Sequence, residues 1–204
     1  MSRGIVYDKT DATNSTIYIG TMGGGVFQST NGGITWKTLN NNMMVSCMAQ
    51  TEDGSIYVGT GDGRSAHSYN GLSYLNYETS FIGSGLYKVK SNTVVAGTED
   101  WEYVNDIATN GNTVYAATNE GLYKYAENTL TALVDTTDVY GVEVTPNGTV
   151  LAVVGNEVCI FRDGECEILT NDEANKLPKS DIYKTIAVSP TDDNYMYVSY
   201  MSKN

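Results

Sequence analysis

The 204-residue sequence predicts an all-β protein assembled from repeated four-stranded antiparallel units. Three observations predict it: a composition of strand and turn formers, one strand pattern that returns five times, and Asn-Gly or Asp-Gly turns between strand-like runs. Gly (21) and Tyr (16) are abundant beside Thr, Asn and Val, while helix-favouring residues are scarce. With 41% apolar and 18% charged residues, the chain has enough to bury a core and too few charges for an acidic disordered tail.

The returning strand is Thr16-Ile17-Tyr18-Ile19-Gly20-Thr21, and its equivalents are residues 55–60, 113–118, 149–154 and 195–200. Its markers Tyr18, Tyr57, Tyr115, Leu151 and Tyr197 are separated by 39, 58, 36 and 46 residues. One four-stranded propeller blade takes about 40 to 50 residues. Within each unit a first strand leads through a turn such as Glu52-Asp53-Gly54, Asn110-Gly111-Asn112 or Pro146-Asn147-Gly148 into the marker strand. Such turns are strong hairpin signals. Third strands are expected at 25–29, 85–89, 121–125 and 157–161, the first three opening on Gly. Fourth strands are expected at 34–39, 93–97, 129–134 and 166–169, and residues 182–189 open a fifth unit.

The expectation is a single β-propeller domain over 1–204, with blades at 4–40, 44–98, 103–135, 139–170 and an incomplete 182–204. No Pro- or Ser-rich spacer interrupts it. About four and a half blades leave sheet faces and edges that only neighbouring blades cover. The expectation is therefore part of a larger propeller or one completed by another chain, the alternative being a four- or five-bladed ring closed by the amino-terminal strand.

A formal net charge of −12 and a pI near 4.3 repel polyanions, so nucleic acid is not an expected partner. No stretch approaches the roughly 18 to 20 apolar residues that span a bilayer. Membrane insertion is not expected, and the first residues lack the apolar core of a signal peptide. Cys47, Cys159 and Cys166 are an odd set. An Asp163-Gly164 hairpin would set Arg162 opposite Glu165 and Phe161 opposite Cys166, with Cys159 one diagonal step away; all three cysteines are read as small buried residues.

Ser29-Thr30-Asn31-Gly32-Gly33-Ile34-Thr35-Trp36 lies between the third and fourth strands of the first unit. It resembles the Asp-box motif, Ser-x-Asp-x-Gly-x-Thr-Trp, of sialidases, sortilin-type receptors, xyloglucanases and photosystem assembly factors. Ser29, Gly33, Thr35 and Trp36 match, and Asn31 stands where those families usually have Asp. The segment Gly59-Thr60-Gly61-Asp62-Gly63, with 82–88 after the insertion, is similar to secreted bacterial Asp-box propellers. The resemblance implies a structural box: a short polar side chain caps turn N–H groups, Gly takes a positive φ, and Trp packs between sheets. It also implies that the box lies opposite the binding centre.

The catalytic sets of those families are not found. Sialidases clamp a carboxylate with three arginines, whereas this chain has only Arg3, Arg64 and Arg162 and no Arg-Ile-Pro segment. Asp62, Glu99, Asp100 and Glu102 are the acids available for a glycosidase pair, and their spacing is that of solvated loop residues. The lone His67 excludes a multi-histidine metal centre. Residues 20–25 lack the Lys and helix of a phosphate-binding loop. Asp192-Asp193-Asn194 lacks EF-hand spacing. No catalytic residue, metal or cofactor is assigned.

The longest departure from the repeat is 61–83, between the second and third strands of the second blade. Asp62, Arg64, His67, Tyr69, Asn70, Tyr74, Asn76, Tyr77 and Phe81 give it the composition of an adaptable recognition surface for a protein or glycan. A self-packed Ω-loop is the competing reading. The expected function is a non-catalytic binding or scaffold propeller, extracytoplasmic or on the cell surface by resemblance. The alternatives are a fragment of a carbohydrate-active hydrolase of the sialidase or xyloglucanase kind and a structural subunit of a surface assembly.

Overall fold

A computed structural model describes residues 2–61, 83–135, 137–162, 164–169, 177 and 182–201. The regular structure among them is β. Strands β1 (Ser2–Tyr7), β2 (Ile17–Thr21), β3 (Gly25–Ser29) and β4 (Lys37–Asn40) form the first sheet. The second comprises β5 (Val45–Gln50), β6 (Ile56–Thr60), β7 (Leu86–Lys88) and β8 (Thr93–Val94). The third holds β9 (Val104–Asn110), β10 (Thr113–Thr118), β11 (Gly121–Ala126) and β12 (Thr129–Asp135). The fourth holds β13 (Val139–Val144), β14 (Val150–Val154), β15 (Glu157–Arg162) and β16 (Glu165–Ile168). A two-stranded sheet follows, β17 (Ile182–Val188) with β18 (Met196–Met201). Each four-stranded sheet is an antiparallel meander in chain order, the blade of a β-propeller.

The chain forms two compact units, Met1–Asn105 and Asp106–Asn204, so the second begins within β9. In the first unit the core lies between the first two sheets, where Tyr18, Val26, Val45, Ile56, Val58 and Val89 are buried together. In the second, Ala117, Leu122, Val139 and Val142 share one buried cluster. Leu151, Val153, Val158, Tyr183 and Ile186 form another beneath β17 and β18. Ile5 and Tyr7 on β1, and Tyr197 on β18, stand exposed.

The recurring Ile-Gly-Thr and Val-Gly-Thr endings of the marker strand have a packing cause. A Cβ on Gly20 would sit 2.4 Å from Val45 Cγ1, and one on Gly59 would sit 2.5 Å from Val104 Cγ1. In both places a valine that opens the next first strand fills the space a side chain would occupy, joined at Gly59 by the Cys47 thiol at 2.6 Å. Ala117 and Val139 meet in the same cluster in the second unit. The threonine that follows locks the turn. Thr21 donates to the Gly25 carbonyl at 2.9 Å, Thr60 to Gly85 at 2.7 Å, and Thr118 to Gly121 at 2.9 Å.

The first-to-second-strand turns use a shared chemistry. In Thr51-Glu52-Asp53-Gly54-Ser55 the Thr51 hydroxyl donates to Asp53 Oδ1 at 2.7 Å, and the Ser55 N–H donates to the same oxygen at 2.9 Å. The Thr51 hydroxyl is the larger of these influences holding the Asp53 carboxyl below its ordinary pKa, with the Ser55 N–H next. Thr145-Pro146-Asn147-Gly148-Thr149 repeats the pattern at 2.6 and 3.0 Å. These are local side-chain turns that carry their own acceptor.

A polar clasp also ties the first two sheets. Buried Asp8 accepts from the Thr10 hydroxyl at 2.6 Å and from Gln50 Nε2 at 2.7 Å, and the Tyr18 hydroxyl donates to it at 3.3 Å. Gln50 Oε1 in turn accepts from the Lys9 N–H at 2.7 Å. Burial pushes the Asp8 carboxyl up, but the bonds from Thr10 and Gln50, with the charge of Lys90, outweigh it and hold it below its ordinary pKa.

The hairpin register of the fourth sheet follows the sequence expectation, with Arg162 opposite Glu165 and Phe161 opposite Cys166. The cysteines differ from it. Cys47 and Cys159 are buried, but Cys166 is exposed because β16 is the outermost strand of its sheet and each of its residues faces solvent.

Two outcomes follow. Gly59→Ala should lower stability in urea by about 1–3 kcal/mol through overpacking against Val104 and the Cys47 thiol; an unchanged unfolding midpoint would refute the contact. Because Asp8 is depressed in the folded state, its contribution is complete above the unfolded value of 3.8 and is lost as pH falls through the folded value. Melting followed below about pH 4 should therefore fall less steeply for Asp8→Asn than for the parent chain.

Candidate functional site

At one end of the first unit, second-to-third-strand connections meet the links between blades. The Gly25 N–H donates to the Met43 carbonyl at 3.1 Å, and Gly61 N–H donates to Met44 at 3.0 Å. Gly83 N–H donates to Glu102 at 2.6 Å and Gly85 N–H to Trp101 at 3.2 Å. Gly61 and Gly83 form a closed neck here. A Cβ on Gly61 would lie 2.1 Å from the Glu102 carbonyl oxygen and 2.7 Å from Gly83 N, so backbone occupies the space of any side chain. The Ser84 N–H donates to Thr60 Oγ1 at 2.8 Å and closes the neck from the other side.

The segment predicted to bind lies between Gly61 and Gly83 in the sequence. Asp62, Arg64, His67, Tyr69, Asn70, Tyr74, Asn76, Tyr77 and Phe81 themselves lie outside the described residues.

The Ser29–Trp36 turn sits at the opposite end of its blade, where Gly32 N–H donates to the Ser15 carbonyl of the first-to-second-strand connection at 2.9 Å. Ser29, 1% exposed, accepts the Gly33 N–H on its hydroxyl at 2.9 Å. Asn31 Oδ1 accepts from the Thr35 N–H at 2.9 Å and from the Ser29 hydroxyl at 3.0 Å. Asn31 Nδ2 donates to Thr35 Oγ1 at 2.8 Å, a bond that Asp would reverse by accepting from that hydroxyl. Two details differ from expectation. Trp36 is 40% exposed and folds back on its own turn, its indole N–H donating to the Gly33 carbonyl at 3.0 Å, rather than packing between sheets. Ile34, 82% exposed, belongs to the locked turn, so the fourth strand starts at Lys37 and not at residue 34.

The acids weighed for catalysis have local tasks or open surroundings. Glu99 Oε2 accepts the Gly97 N–H at 2.7 Å, and Glu99, Asp100 and Glu102 are exposed. Asp192 Oδ1 accepts both the N–H and the side-chain amide of Asn194, and Asp193 accepts the Asn147 N–H at 3.3 Å. Arg162 pairs in register with Glu165 beside the Gly164 turn. Among the described residues no group of three or more His, Cys, Asp or Glu side chains is placed to hold a metal ion.

One carboxylate pair was not found from the sequence. Half-buried Glu143 on β13 has its pKa raised, first by burial and then by the negative charge of Asp106 on β9. Asp106 accepts the Val142 N–H at 3.3 Å. Glu143 stands opposite the marker residue Leu151, where the first, second and fifth repeats set Val6, Ala49 and Ala187. Aligning repeats on their marker strands would have exposed a Glu in a column of small apolar residues.

Comparison with known proteins points to the same architecture. Residues 38–62 match the model of the two-component regulator propeller family. No curated protein matches the chain in sequence. In structure the chain is similar to the extracellular domain of BT4673 of B. thetaiotaomicron, described as a one-component or hybrid two-component system. There the TM-score is 0.68 at 15% identity, over 98% of this chain and 26% of that one. The WD40 β-propeller domain of Doa1 gives 0.63 at 12% identity, over 98% of this chain and 62% of that one. The GH74 xyloglucanase of Xanthomonas campestris gives 0.58 at 13% identity, over 92% and 34%. The chain spans about a quarter of the length of the BT4673 domain. These likenesses establish the β-propeller fold.

The turn chemistry yields a direct check. Asn31→Asp, which preserves every acceptor, should change stability by less than about 0.5 kcal/mol, whereas Asn31→Ala should cost about 1 kcal/mol. Equal losses in urea titration would show that the side chain does not lock the turn.

Proposed function

We propose that this chain is the blade array of an extracytoplasmic ligand-binding propeller, with an Asp-box-type hairpin in its first blade and residues 62–82 as the recognition segment. The observation that supports the reading is the closed Gly61/Gly83 neck at the end where the blades are linked, because the residues between those two glycines in the sequence are rich in Tyr and Asn. Loops at a rigid rim suit recognition because the scaffold meets the cost of positioning them. The two-component regulator propeller match at 38–62, and the extracellular setting of the BT4673 domain, support a sensory or binding role over a catalytic one. The ligand class is a protein or glycan, recognised by tyrosine rings and asparagine amides.

The experiment is a binding screen of the purified chain against immobilised neutral and sialylated oligosaccharides and a peptide library, repeated with the Tyr69→Ala/Tyr74→Ala/Tyr77→Ala variant. The expected result is at least a tenfold loss of the selected binding with an unchanged melting temperature. Unaltered binding would move the site elsewhere on the propeller. Oligosaccharide cleavage abolished by Glu99→Gln or Glu143→Gln would replace the binding reading with the hydrolase one.

A further inference from the structure

The fourth sheet brings two thiols onto one face of a single hairpin. Phe161 is the register partner of Cys166, and Ile168 is the partner of Cys159. Side chains two apart on a strand share a face, so Cys159 and Cys166 are diagonal neighbours across adjacent strands. The two differ in accessibility: Cys159 lies buried in the core cluster with Val150 and Phe161, whereas Cys166 is exposed on the outermost strand.

The strand that carries Cys166 lies at the edge of its sheet. β16 has four residues, all exposed, and among the described residues it is hydrogen-bonded to β15 on one side only. Diagonal neighbours start at about 7–8 Å between Cα atoms, slightly beyond the usual disulfide span of about 4.4–6.8 Å. A small shift of a one-sided edge strand closes that difference at little packing cost.

We propose that Cys159 and Cys166 are a two-electron redox site, closing to an intrablade disulfide that clips β16 to its sheet. With a low-molecular-weight disulfide as oxidant, the exposed Cys166 thiolate attacks one of its sulfurs. A protein–small-molecule mixed disulfide forms and the first small thiolate leaves. Cys159 then gives up its proton and attacks Cys166 Sγ, so that the Cys159–Cys166 bond forms, the mixed disulfide breaks, and the second small thiolate leaves and takes up a proton. The two protein thiols are oxidised and the small disulfide is reduced to two thiols. Burial pushes the Cys159 thiol up, so the second step is the slower one and rises with pH. Cys47, buried in the first unit with its thiol donating to the Val104 carbonyl at 3.6 Å, takes no part.

Arg162 lies between the two cysteines in the chain, so trypsin separates them and only a disulfide holds the resulting peptides together. The native chain is treated with oxidised glutathione, its remaining thiols are alkylated, and the tryptic digest is read by mass spectrometry without reduction. The expected result is a linked pair of peptides containing Cys159 and Cys166, a protein mass lowered by two hydrogens before alkylation, and one alkylated cysteine, Cys47. Cys159→Ser should instead stop at a stable glutathione adduct on Cys166. A glutathione adduct that persists on Cys166 in the parent chain, or alkylation of all three cysteines, would overturn the proposal. The Cys159→Ser adduct shows that the oxidant reaches Cys166, so a missing link in the parent chain then reports on geometry alone.

Discussion

Consecutive blades in the first unit meet where a valine at the start of one first strand enters the space left by a glycine on the preceding second strand. Gly20 faces Val45 and Gly59 faces Val104, each at a separation that leaves no room for a Cβ. A blade has two faces and its own strands bury neither, so the Gly20–Val45 contact sets how close the second blade comes to the first. The approach it permits brings Tyr18, Val26, Ile56 and Val58 into one buried cluster. The small residue, the threonine after it and the glycine opening the third strand recur together in the first three blades, whereas the fourth carries Val153, Val154 and Glu157 at those places.

The two ends of the blades in the first unit spend their polar groups differently. At one end, the turns of Thr51–Ser55 and of the Ser29–Trp36 segment satisfy their backbone with their own side chains. Such turns are rigid and self-contained, which suits a fastening. At the other end, the backbone groups of Gly25, Gly61, Gly83 and Gly85 are used up in ties to the links between blades.

Much of this was legible in the residues. The five marker strands, the Gly-led third strands and the Asp163-Gly164 register could be read because each depends on local alternation and turn chemistry. Three tertiary features could not. The exposure of Cys166 depends on β16 being outermost in its sheet. The turned-back position of Trp36 depends on an indole bond to the Gly33 carbonyl that competes with packing between sheets. The Asp106 and Glu143 pair depends on which residues two first strands set beside each other, 37 positions apart in the chain.

The amino-acid sequence by itself determined the strands, their order within each blade, and the turns that join them, because hydrogen bonding between neighbours in a meander involves residues close in the chain. The tertiary structure decided which small residue receives which valine, where the Gly61/Gly83 neck closes, and which titratable or thiol groups share a face. Those depend on the separation of backbones far apart in sequence, a distance that is set only once the blades have packed.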